Sequence, residues 1–97
     1  MDALLRGSLE RFLDNLLTDT VLTNALNMFN KGLAPTVKNT EDALFGYVIG
    51  RTIEFAFDAI QVYYRRMPIE QEFEEIGKML ERRAIEIKSK IKLITNR

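Results

Sequence analysis

The sequence predicts an all-α protein, a small bundle of three to four helices forming one domain over residues 1–97. Three observations carry that reading. Apolar residues recur at helical spacing along most of the chain, and no segment alternates apolar and polar residues for long enough to argue a strand. Only two prolines and five glycines punctuate the sequence. The composition is 46% hydrophobic and 29% charged, which argues against a disordered chain. A chain of this length has room for a single core and little more.

The first apolar set is Leu5, Leu9, Phe12 and Leu16, at steps of four, three and four, which is one face of a helix. The next set, Leu22, Ala25, Leu26 and Phe29, sits roughly a quarter turn or more off that face. The phase slips at Leu17-Thr18-Asp19-Thr20, where Thr18 or Asp19 is suited to cap a new helix. Two helices, or one with a sharp kink, are expected here.

The segment KGLAP then reads as a stop. Gly32 suits the left-handed position past a helix end, Leu33 can fold back on the last turn, and Pro35 prevents continuation. Asn39-Thr40-Glu41-Asp42 follows as a start, with capping residues and acids in the positive first turn. The central helix is expected to run to about Arg65-Arg66. Pro68 fits the first turn of a last helix, antiparallel to the central one. Its expected core stripe is Ile69, Phe73, Ile76, Leu80, Ala84, Ile87, Ile91 and Ile94.

The central segment, ALFGYVIGRTIEFAFDAIQVYY, carries the functional question. On a helical wheel Tyr47, Arg51, Glu54, Asp58, Gln61 and Arg65 form one polar stripe about 80° wide, and nearly everything else is apolar. So wide an apolar sector needs cover from several directions, and a second copy of the chain is a natural source of it. Gly46 and Gly50 lie at i and i+4 beside the stripe. Each costs about 1 kcal/mol relative to alanine, a cost that close approach of another backbone offsets. The expected interface is therefore Gly46, Gly50, Ile53, Phe57 and Tyr64, within the chain or across a dimer axis.

Competing readings are weaker. The uncharged run from Ala43 to Gly50 is far short of the about 20 residues a membrane span needs, and Arg51, Glu54 and Asp58 would lie near mid-bilayer. Glu54 and Asp58, at i and i+4, are spaced to share a cation or a proton, so a carboxylate- or metal-dependent enzyme is one alternative. The di-iron bundle pattern needs Glu-x-x-His, and the chain has no histidine. The bland account is a solvated edge, with Arg51 paired to Glu54 and Arg65 or a neighbouring helix answering Asp58.

The last helix is acidic at its start, with Glu70, Glu72, Glu74 and Glu75, and basic at its end. Residues 82–97 carry six basic residues against one acid. A nucleic-acid-associated protein is the second alternative. The helix dipole favours that same polarity without any partner, and Arg82, Lys88, Lys90 and Lys92 share no face. Glu74–Lys78 and Glu86–Lys90 are spaced as i,i+4 pairs of a solvated face. Ile85 and Leu93 lie off the core stripe.

Fourteen basic residues balance fourteen acidic ones, which removes the simplest electrostatic case for nucleic acid or an anionic membrane. Without cysteine there are no disulfides, thiolate metal sites or Cys nucleophiles; without histidine the commonest general base is missing. MDALLRG has no long apolar core of a signal peptide. The expectation is a cytoplasmic, cofactor-free helical protein acting by association, as a homodimer and as a subunit or adaptor of a larger assembly.

Overall fold

In the computed structural model, residues 1–32 and 36–97 are described, and they form four helices. These are α1 (Ala3–Leu16), α2 (Asp19–Gly32), α3 (Thr40–Tyr64) and α4 (Glu70–Thr95), with no strand among the described residues. Each boundary has a local cause. Asp2 caps α1, its Oδ1 accepting from the Leu5 N–H at 2.8 Å. Thr18 closes one helix and opens the next: its hydroxyl donates to the Asn15 carbonyl at 3.0 Å and accepts from the Val21 N–H at 3.4 Å. The phase slip therefore marks a true break, and Thr18 is the residue that caps it.

Asn39 caps α3, accepting from the Asp42 N–H at 3.0 Å. That helix ends without glycine or proline. Arg65 takes the left-handed conformation, φ 54°, and its N–H closes on the Gln61 carbonyl at 2.9 Å. Two expectations about boundaries need correcting. Gly32 is the last residue of α2, with no positive φ, so it is not a left-handed cap. Pro68 precedes α4 instead of opening it, and Ile69 is the N-cap residue. The roles assigned to Leu33 and Pro35 lie outside the described residues.

Helices α3 and α4 form a long antiparallel hairpin. At 1.5 Å per residue each is about 38 Å long, close to the 40 Å long axis of the molecule. The two short helices lie in succession along this hairpin. Phe12 of α1 stacks on Phe55 with ring centroids 4.2 Å apart, and Tyr64 meets Asp2, so α1 covers the C-terminal half of α3. Phe29 of α2 meets Tyr47 edge-on at 6.2 Å, so α2 covers the N-terminal half. Arg83 of α4 reaches back to Asp14 and Glu10 of α1, and Arg97 reaches Asp19 at 2.6 Å.

The core is one cluster drawn from all four helices. It includes Leu5, Leu9 and Leu13 of α1, Leu22 of α2, Leu44, Val48, Ala56 and Ile60 of α3, and Ile76, Met79, Ile87 and Ile91 of α4. On α1, Leu13 takes the buried place expected of Phe12, which is half-buried against Phe55. On α4 the stripe holds from Ile76 onward but not before. Ile69 and Phe73 are about half exposed, and Glu72 is the buried residue of the first turn, 3% exposed.

The buried residues of α3 are Leu44, Val48, Thr52, Ala56 and Ile60, a strict step of four. Four residues advance a helix by 400°, so this column winds about 40° per step around the axis. The remaining residues sort into parallel columns. Ala43, Tyr47, Phe55 and Ala59 are half-buried on the flank toward α1 and α2. Phe45, Ile49, Ile53 and Phe57 are half-buried on the other flank, where Phe57 meets Phe73 at 5.2 Å and Lys88 lies over Phe45. Gly46, Gly50, Glu54, Asp58 and Val62 are exposed and face directly outward. Every apolar residue from Ala43 to Ile60 is thus buried or half-buried within one chain. The width of the apolar sector does not by itself require a second copy.

Candidate association surface

The outward column of α3 brings together four of the eight candidate residues, Gly46, Gly50, Glu54 and Asp58. Arg51, Glu54 and Asp58 are all exposed, and none joins an ion pair among the described residues. Arg51 leans over the Tyr47 ring, 5.9 Å from its centroid, instead of pairing with Glu54. The expected answer to Asp58 from Arg65 is absent as well. No group of three or more potential metal-ligating side chains comes together among the described residues. No helix among them is long and apolar enough to cross a membrane.

Gly46 and Gly50 share that column. Both are exposed, and a Cβ built on either meets nothing within 4 Å. The close helix approach expected of them does not occur within the chain. Gly77 on α4 is equally open. Counting antiparallel register from the Phe57–Phe73 contact places Gly77 across from Ile53. Ile53 and Phe57 therefore line the side of the hairpin away from α1 and α2, and Phe73 and Ile69 extend it toward the turn, with Met67 joined to Gln61 at 3.0 Å. Tyr64 belongs elsewhere: its hydroxyl donates to Asp2 Oδ2 at 3.3 Å and Arg66 stacks on its ring at 4.8 Å. It serves the α1 contact, apart from the other four candidates.

Sequence reasoning missed the one buried charged side chain among the described residues, Glu72. At the α3–α4 turn, Arg66 donates through Nη1 and Nη2 to Oε1 and Oε2 of Glu72, both at 2.8 Å. The Ile69 N–H also donates to Glu72 Oε1, at 3.0 Å. The Arg66 guanidinium holds the Glu72 carboxyl down at about 2, with the Ile69 N–H helping, against the opposing effect of burial. The only sequence signal is a Glu three residues after the N-cap, the second half of a capping box whose first half, at Ile69, has no side-chain acceptor.

The basic end of α4 is partly spent within the chain. Arg83 takes Asp14 and Glu86, Arg97 takes Asp19, and Lys88 covers Phe45. The expected pair Glu86–Lys90 gives way to Arg83–Glu86 at 2.7 Å, and Glu74–Lys78 makes no ion pair among the described residues. Binding to a DNA or RNA oligonucleotide is expected to be weak at physiological salt. A fluorescence titration giving submicromolar affinity that falls steeply with added salt would contradict this.

Comparison of the chain with protein-family models, with curated proteins and with solved structures finds no match.

Proposed function

We propose that the chain acts through protein–protein association, as a homodimer and as a subunit or adaptor of a larger assembly, with no catalytic step of its own. The observation that supports this best is the outer column of α3. It carries two glycines in the interior of a helix, each costing about 1 kcal/mol relative to alanine, and a Cβ on either meets nothing within 4 Å among the described residues. A close contact with another molecule offsets that cost. The same side presents Ile53 and Phe57, continued by the exposed Phe73 and Ile69, as apolar area for such a contact.

Gly50→Leu is the test. The isolated chain has room for the side chain, and leucine is a better helix former than glycine, so the helix signal in circular dichroism should be unchanged. Light scattering should then show a dimer for the unmodified chain and a monomer for Gly50→Leu, because leucine cannot enter a close helix crossing. A variant as dimeric as the parent removes the glycine edge from the interface. A parent chain monomeric at millimolar concentration removes the homodimer.

A further inference from the structure

The outer column of α3, together with Tyr47 and Arg51 in the column beside it, has a charge order that fits one arrangement of two copies. Tyr47 and Arg51 are donors lying one turn apart, with Arg51 over the Tyr47 ring. Glu54 and Asp58 are acceptors one turn apart, and they follow the donors along the helix. No ion pair among the described residues involves Arg51, Glu54 or Asp58, and Tyr47 makes no side-chain hydrogen bond there. Donor end and acceptor end thus have no ion-pair partner among the described residues, and they match each other.

Resting on the association reading above, we propose that α3 pairs with α3 of a second copy, antiparallel about a two-fold axis at the level of Thr52. Facing residues of the outward column then have numbers summing to 104. Gly50 faces the partner's Glu54, and Gly46 faces the partner's Asp58, each twice by symmetry. The carboxylate over Gly50 lies beside Arg51, and the one over Gly46 lies beside Tyr47. Each glycine makes room for an acid of the other copy, and each acid finds a donor one residue on. The step of four along both columns is the geometry of ridges that interdigitate at a crossing angle of about −50°. Small residues on such a ridge permit close backbones.

The parallel alternative fails on charge. A parallel two-fold pair sets each residue against itself, so Arg51 would meet Arg51 and Glu54 would meet Glu54. Like charges face to face carry a penalty of several kcal/mol. The antiparallel register turns both repulsions into attractions.

The test is a charge exchange. Arg51→Glu creates two Glu–Glu contacts in its homodimer, and Glu54→Arg creates two Arg–Arg contacts. Each variant should dimerise on the order of 100-fold more weakly than the parent in sedimentation equilibrium. Mixed one to one, they should dimerise as well as the parent, because every contact is then Glu against Arg. The double variant R51E/E54R should regain a homodimer. Both positions are exposed, and circular dichroism establishes that each variant keeps its helices. A purely structural role for these side chains predicts no recovery on mixing. If the parent is dimeric and neither reversal weakens it, association occurs on another surface and this pairing is wrong while the association reading stands. A parent monomeric at millimolar concentration overturns both.

Discussion

Leu9→Ala is expected to lower the stability of the fold by about 3 kcal/mol, the largest effect of any single substitution argued here. Leu9 is fully buried in the middle of α1. A 14-residue helix is marginal on its own, so α1 is held in place chiefly by this apolar face. Removing the side chain loses its transfer free energy and leaves a cavity between α1 and the hairpin. Domains of this size are stable by roughly 5–15 kcal/mol, so the loss is a large fraction of the whole. At 4–8 °C per kcal/mol the melting temperature should fall by about 15 °C. Urea unfolding at fixed protein concentration is the measurement, with the midpoint lowered and the slope unchanged. Ile85→Ala is the control: Ile85 is 81% exposed on α4, and its truncation should stay within about 0.5 kcal/mol. A Leu9→Ala chain within 1 kcal/mol of the parent would mean that α1 is not seated on α3.

The second large effect concerns Glu72. Glu72→Gln is expected to cost about 2 kcal/mol at neutral pH, the range for hydrogen bonds to charged groups. Gln keeps an acceptor for the Ile69 N–H, so the substitution isolates the bidentate contact with Arg66. Glu72→Ala removes the cap as well and should cost more. The same contact carries a pH signature. The carboxyl titrates at about 2 in the folded chain, below its ordinary value of 4.5. A depressed folded value means the unfolded chain takes up the proton first. The stabilisation is therefore complete above the ordinary carboxylate range and is lost as pH falls from there through about 2. Thermal melts at pH 7 and pH 3 should show a larger drop for the parent than for Glu72→Gln. Equal drops would assign the acid sensitivity to other carboxylates.

Much of this architecture is legible in the residues themselves. The four-and-three spacing of apolar positions marks the helices, and the phase slip at Leu17–Thr20 places the α1–α2 break where Thr18 makes it. Asn39 as a cap and the break near Met67 are equally readable. These are local properties, decided by side-chain spacing and by which residues can bond a free N–H. The end of α3 near Arg65 is readable too, but not its form, because an arginine in a left-handed conformation carries no compositional mark. Phe73 and Glu72 reversed their expected places for a related reason. Hydrophobicity alone ranks Phe73 inward. The turn, however, delivers Arg66 to the position where a carboxylate three residues after the N-cap can bind it, and Phe73 settles against Phe57 at the rim.

The candidate site divides in the same way. The residues alone determined an all-helical chain, the order of its breaks, a polar stripe on a mostly apolar central helix and two glycines beside it. Tertiary structure decided what lies over each column of that helix. A straight wheel assumes one face with a period near 3.6, whereas the core of α3 follows a step of four and winds as α2 gives way to α1. That winding carries the glycines and the two acids into one outward column and Tyr64 over to α1. Whether a glycine in a helix faces a neighbour or open space depends on residues distant in the chain. Spacing along one helix records the direction of a side chain but not what the rest of the chain sets in front of it.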